Sequence, residues 1–230
     1  HAGRFGARTV RYGDLRADTR ERIMDAVRRV EQASGRVFGD PRRPLLLSVR
    51  SGAAFSMPGM MDTILNVGLN QELLERMSGT PEEKWGYWDC YRRYLQNVAM
   101  SCGAGRDLFD AIMLRFKGRH RVERKEQFTA AQMRRMALAY REEAARQGVE
   151  IVDDPQEQLL QAVFLVLKSW HSEPVRLFRQ QLQLADAWGT AVLVQRMVFG
   201  NMSSSSGSGV VFTRNPRSAS TGIGLFGDFT

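Results

Sequence analysis

The chain has 230 residues, 43% of them hydrophobic and 25% charged, with a formal net charge of +8 and a pI near 10.1. That size suits one or two domains with a sizeable core, and no apolar run approaches the roughly 18 residues of a membrane-spanning helix. The polar, basic start from His1 to Arg11 lacks the apolar centre of a signal peptide.

Cys90 and Cys102 are the only cysteines and form no CxxC pair, and neither they nor His120 and His171 have zinc-ligand spacing. Two unpaired thiols fit a reducing compartment, so the expected location is the cytoplasm. A basic balance suits nucleic acid, phosphate-bearing small ligands or a solvated surface. The densest basic run, "RFKGRHRVERK" (Arg115 to Lys125), has Phe116 as its only aromatic. It reads as an exposed loop broken at Gly118, so no nucleic-acid partner is expected.

In chain order, Asp18 followed by Glu21 has capping-box spacing. Ile23, Val27 and Val30 then share one helical face, predicting a helix to about Ser34. "GDPRRP" (Gly39 to Pro44) breaks the chain, and Leu45 to Val49 follows as a continuous apolar strand buried on both faces. From about Asn70 to Trp188 the pattern is helical. Thr80-Pro81-Glu82-Glu83 joins an N-cap, a proline at the first helical position and two acids at the positive end of the dipole. Thr129 caps a helix through Tyr140 to about Arg146. Asp154-Pro155 opens another, with Leu160, Val163, Phe164 and Leu167 as a core stripe and Trp170 at its end.

Strand character returns at Ala191 to Phe199 and Gly209 to Thr213, with "GNMSSSSGSG" between, and a third short strand is expected around Ile223 to Phe229. Strand pieces at both ends of about 120 mostly helical residues predict an α+β fold, with the flanking strands in one sheet.

Two stretches carry candidate chemistry. In "LLLSVRSGAAFSMPGMMDTILNVGLN" (Leu45 to Asn70), Arg50 stands where a buried strand surfaces beside small residues. Its five-donor fork suits phosphate oxygens, and Ser51, Gly52, Ser56 and Gly59 offer hydroxyls and open N–H groups. The alternative is an arginine ion-paired at a strand end, and no GxxxxGK[ST] loop is present. "GNMSSSSGSGVVFTRNP" (Gly200 to Pro216) reads equally as a flexible linker or as a Gly/Ser hairpin that closes over polyphosphate.

Together, "SVRSGAAFSMPGMMDTILNVGLN" and "VQRMVFGNMSSSSGSGVVFTRNP" resemble the nucleotide-binding domain of the pyruvate, phosphate dikinase family. "FGDPRRPLLLSVRSG", "DCYRRYLQ" and "WGTAVLVQRMVFGN" extend the resemblance in order, from about Asp14 to Phe229. Related phosphoenolpyruvate synthases share the plan, but "SMPGMMDT" is the dikinase wording.

The resemblance implies an ATP-grasp-type nucleotide-binding domain with a large helical insertion. Residues 1–70 and 189–230 would form the ATP-grasp parts and 71–188 the insertion. It implies ATP and Mg²⁺ as cofactors and transfer of the β-phosphoryl group of ATP to a histidine on a separate domain. A further barrel domain would then convert pyruvate and phosphate to phosphoenolpyruvate and pyrophosphate, in a homodimer.

Matched by motif, Arg50 and Arg93 correspond to phosphate-binding arginines. Gly59, Met60, Met61 and Asp62, with Ser208 and Gly209, correspond to two loops closing on the nucleotide. Gln195, Met197 and Val198 correspond to the adenine side. Neither His120 nor His171 sits in the family's histidine motif, and both read as structural or surface residues.

Departures are also visible. The family's "GGKG"-like segment with its ATP-binding lysine precedes the region matched here, and its metal- and phosphate-holding acidic, glutamine and arginine positions follow it. Asp228 stands at the usual glutamate and Ser208 at the usual threonine. The expectation is a part of the ATP domain that is inactive alone, with no catalytic residue and no assigned metal ligand in this chain. The rival expectations are a non-catalytic or regulatory nucleotide-binding homologue and a phosphoenolpyruvate synthase-type phosphotransferase.

Overall fold

The computed structural model describes residues 15–53, 57, 59–185, 188–201, 203, 205–213 and 226–229. The chain forms two compact units, residues 1–197 and 198–230.

The first unit opens with α1 (Ala17–Ser34), closed by Gly35 in the left-handed conformation at φ 64°. The capping box expected at Asp18 does not form. Arg16 is the N-cap and makes no side-chain cap, while Asp18 lies inside the first turn beside the Arg16 guanidinium, at 3.4 Å. A carboxylate still favours that end of the helix through the dipole. The short strands β1 (Val37–Phe38) and β2 (Pro44–Leu45) pair in parallel across the proline-rich break.

A three-stranded sheet follows. β3 (Leu47–Gly52) is central, with β4 (Thr63–Val67) and β5 (Ala191–Arg196) antiparallel on either side. The strands flanking the helical region therefore share a sheet, as their pattern predicts. Leu45 to Val49 is buried throughout, each large apolar side chain contributing about 1.5–3 kcal/mol on burial. The sequence pattern does not announce β4. "TILNV" is short, and its register shifts where Asn66 adopts φ 61°, so neither alternation nor a full apolar run marks it.

The helices are α2 (Gln71–Arg76), α3 (Pro81–Ser101), α4 (Arg106–His120), α5 (Ala130–Arg146), α6 (Pro155–Ser169) and α7 (Glu173–Gln181). Thr80 and Asp154 are N-caps, as the sequence predicts: Asp154 accepts from the Glu157 N–H, and Thr80 goes further, forming a complete capping box with Glu83. Thr129 caps α5 with Gln132 as its reciprocal partner.

Gly118 does not break the basic run. α4 continues to His120 and ends at Arg121, which takes the left-handed cap at φ 54°. A mid-helix glycine costs roughly 1 kcal/mol, and burial of Phe109, Ile112 and Phe116 along the same helix outweighs it. α3 packs most extensively on α5, and α6 lies on β3, β4 and β5. No helix among the described residues is long and apolar enough to cross a membrane.

The second unit holds β6 (Gly209–Phe212) paired antiparallel with β7 (Phe226–Phe229). Residues 223–225 of the expected third strand lie outside the described residues.

Candidate functional site

Arg50 sits on the solvent side of the central strand. Its cross-strand partners are Thr63 on β4 and Leu193 on β5, and all three side chains are exposed. Partners directly opposite share a face, so the three form one row across the sheet. Among the described residues Arg50 has no carboxylate partner within ion-pair distance. The strand-end ion pair weighed from the sequence is therefore not found there. Gly52, on the same face, lies against Ala191, where an added Cβ would meet the Ala191 Cβ at 3.4 Å.

The segment after β3 returns to the sheet at β4. Ala54, Phe55, Ser56 and Pro58 lie outside the described residues. Gly59 is exposed at φ 73°, a conformation that favours glycine. Met60 and Met61 are half-buried and pack on a small cluster of Met57, Trp170 and Val175. The Asp62 N–H donates to Ser169 Oγ at 3.2 Å, and Ser169 donates to Val166 O at 2.7 Å. Burial pushes the Asp62 carboxyl above its ordinary value, against the opposing pull of the Ser101 hydroxyl bonded to it and the Lys168 charge. The two methionines and the aspartate thus anchor the loop to α6 and to the end of α3.

Arg93 belongs to another polar group. On α3, its Nε lies 3.1 Å from Oδ2 of Asp89, a fully buried carboxylate. Arg92 makes two hydrogen bonds to Asp89 Oδ1 at 3.0 and 2.7 Å, and Lys125 Nζ donates to Oδ2 at 3.0 Å. Burial alone would raise the Asp89 pKa, but Arg92, Arg93 and Lys125 together hold it below the ordinary range. Sequence reasoning picked out Arg93 and missed Asp89 and Lys125. The i, i+3, i+4 spacing of Asp89, Arg92 and Arg93 is a readable signal for the first. Lys125 comes from a distant loop and leaves none.

Of the adenine-side candidates, Gln195 is exposed on β5 opposite Ser48. Met197 continues the sheet, its N–H donating to Leu46 O at 2.9 Å, and its thioether accepts from the Asn66 N–H at 3.1 Å. That sulfur is engaged with the β4 bulge.

Val198 opens the second unit and is 85% exposed. Within that unit Ser208 precedes β6, Gly209 begins it, and Gly200 approaches Gly207 and Ser208 so closely that a side chain there would strike Ser208 Oγ. Ser203, Ser205 and Ser206 cluster through their hydroxyls at 2.9–3.0 Å.

His120 packs between Phe116, tilted at 44°, and Phe128, edge-on at 88°, and contacts Gln132, a packing role. Among the described residues no three His, Cys, Asp or Glu side chains are grouped to hold a metal. A cavity of about 740 Å³ lies between α1 and the sheet, lined by Ile23, Val27, Val30, Leu47, Val192 and Val194. Side chains alternate along a strand, so Val192 and Val194 lie on the face opposite Leu193 and Arg50. This cavity is not the candidate site.

Residues 7–225 match the family described as "Pyruvate phosphate dikinase, AMP/ATP-binding domain". The chain belongs to this family. It is 40% identical over 215 residues to the pyruvate, phosphate dikinase of Rhizobium meliloti (strain 1021), covering 91% of this chain and 23% of the relative. It is 42% identical over 211 residues to the chloroplastic pyruvate, phosphate dikinase 1 of Zea mays, covering 90% of this chain and 22% of the relative. The chain thus spans less than a quarter of the length of the curated relatives it matches, the part corresponding to the family's AMP/ATP-binding domain.

Proposed function

We propose that this chain binds ATP and serves, within a longer pyruvate, phosphate dikinase, as the domain that delivers the β-phosphoryl group to a histidine on another domain. The observation that carries this reading is Arg50. It is an exposed guanidinium with no carboxylate partner among the described residues, on the central strand beside small residues and within the region that matches the family.

An arginine at that place offers paired donors to phosphate oxygens. Phosphoryl transfer depends mainly on positioning and charge neutralisation, so a site of this kind needs donors in fixed places more than a nucleophile of its own. We assign Arg50 and Arg93 to the phosphates, Gly59 through Asp62 and Ser208–Gly209 to the closing loops, and Gln195, Met197 and Val198 to the adenine side.

The architecture fits an ATP-grasp-type domain in which 71–188 is an insertion between parts 1–70 and 189–230. The pairing of β3 with β5 supports this, since it brings both ends of the helical region to one sheet. Mg²⁺ would arrive with the nucleotide. Asp62 is a lone carboxylate held by Ser101, and the described residues do not make a metal site of their own. Pyruvate and phosphate as further substrates, a homodimer and a cytoplasmic location are proposed on the family relationship and the free thiols.

Calorimetric titration with ATP tests the reading. Arg50→Met should weaken ATP binding about tenfold or more, the scale of one charge-assisted contact, while the unfolding midpoint stays near that of the parent. Equal affinity in the two proteins would overturn it.

A further inference from the structure

The carboxylate of Asp89 is shared by three cations. Arg92 takes Oδ1 with two donors, while Arg93 and Lys125 both approach Oδ2. One negative charge among three positive ones leaves two in excess. Among the described residues no other carboxylate lies within ion-pair distance of Arg92, Arg93 or Lys125.

Arg92 is withdrawn from solvent. Its side chain is 7% exposed, its guanidinium also reaches Gln96, and it lies 5.3 Å from the Tyr140 ring centroid. The excess charge therefore surfaces at Arg93, 44% exposed, and Lys125, 27% exposed.

Both surface cations keep donors available. Arg93 comes nearest to Asp89 through Nε, and among the described residues its two terminal amino groups make no hydrogen bond. Lys125 gives one of three ammonium protons to Oδ2 and lies 5.7 Å from the Trp85 ring centroid, which shields one side of it. A guanidinium edge and an ammonium converging on one oxygen from different elements make a two-pronged cationic site. A phosphoryl dianion matches both the excess charge and the planar fork of the arginine, whereas a single carboxylate would neutralise half of it.

We infer that Arg93 and Lys125 form one anion-binding pair for a phosphoryl group, and that Asp89 is the positioning residue that fixes their spacing. The inference builds on the assignment of Arg93 to phosphate under the proposed function, and extends it to Asp89, which opens the same "DCYRRYLQ" string, and to Lys125. Lys125 closes the basic run that reads from sequence as solvated surface, so the pair gives one member of that run a specific task.

Pyrophosphate is the probe, titrated into the 230-residue chain while the Arg93 Nε–H and Lys125 ammonium signals are followed by NMR. Both signals should shift with a single midpoint, and Lys125→Met and Arg93→Met should each weaken binding about tenfold. Separate midpoints, or undiminished affinity in Lys125→Met, would overturn the pair.

For Asp89, Asp89→Asn should release the Arg93 Nε–H signal and weaken pyrophosphate binding, with Asp89→Glu restoring both. An unmoved Arg93 signal in a folded Asp89→Asn protein would overturn the positioning role. If Asp89→Asn fails to fold, Lys125→Met decides alone.

The nucleotide reading is separable, because ATP affinity indifferent to Arg50→Met alongside a single-midpoint pyrophosphate titration removes that reading and leaves the pair standing.

Discussion

Gly68 and Gln158 are joined by a buried hydrogen bond in which the Gly68 N–H donates to Gln158 Oε1 at 2.9 Å. The same side chain donates through Nε2 to Leu69 O at 2.8 Å and Val152 O at 2.9 Å. One glutamine on α6 therefore satisfies three backbone groups where β4 leaves the sheet. Gln158→Leu keeps the volume and orphans all three, so it should cost about 3 kcal/mol in urea unfolding. Gly68→Ala should be comparably damaging, at about 1–3 kcal/mol. At φ 110° its Cβ would stand 2.6 Å from the Phe38 ring. A loss below about 0.5 kcal/mol, the scale of an ordinary surface change, would contradict either assignment.

Removing the Asp89 charge leaves three cations around a neutral amide, and Asp89→Asn should destabilise the chain by about 3–5 kcal/mol. The acid limb carries a second signature. The folded carboxyl titrates below the ordinary 3.8, so its contribution is complete above that value and disappears as pH falls through the folded pKa. Denaturant midpoints should fall steeply below about pH 4 in the parent and more shallowly in Asp89→Asn. Parallel curves would refute the role.

Asp62 has the opposite sign. Its pKa in the fold lies above the ordinary 3.8, chiefly through burial, so the folded state favours the protonated acid. That contribution is present below the unfolded pKa and lost as pH rises through the folded one. Exchange of the Asp62 amide, which donates to Ser169, should be slower at pH 4 than at pH 7 after correction for the intrinsic rate. Asp62→Asn should abolish the difference, and a pH-independent protection factor in the parent would count against it.

The serine segment is the place to look for nucleotide-linked ordering. Ser203, Ser205 and Gly207 to Gly209 are exposed, and the described serines find one another more than the core. Amides there should exchange quickly, while Val192 to Val194 stays protected by pairing with β3. In the longer protein, ATP should slow exchange in this segment as backbone donors engage phosphate oxygens. Protection already present without ATP, or unaltered by it, would return the segment to a linker.

Legibility from sequence followed the range of the interaction. Local chemistry was readable: the caps at Thr80 and Thr129, the Asp154-Pro155 start, and the buried run at Leu45 to Val49 all stand where the residues put them. The errors arose where a local signal met a tertiary one. Asp18 has cap spacing, yet the N-cap of α1 is Arg16, two residues earlier, which leaves Asp18 inside the helix. Gly118 punctuates the sequence, yet Phe109, Ile112 and Phe116 bury α4 firmly enough to carry it to His120. β4 hides behind its bulge. At the site, Arg50 was readable because a cation ending an apolar run is conspicuous. The anchoring of Met60, Met61 and Asp62 by Trp170, Ser169 and Ser101 depends on helices more than a hundred positions away in two of those cases, and no local pattern announces it.

The contact between Ser48 and Gln195 joins positions 147 apart, and that separation sets an order of events during synthesis. Helix pairs such as α4 and α5 assemble from neighbouring sequence, whereas β3 must wait for β5 to leave the ribosome. At about 5–20 residues per second the delay is on the order of ten seconds. Through that interval the strand bearing Arg50 has one edge of bare backbone donors and acceptors, open to mispairing with other chains. The part of the unit proposed to hold the nucleotide is thus the last to close, and ATP can reward its completion but has nothing to grip while the helices form.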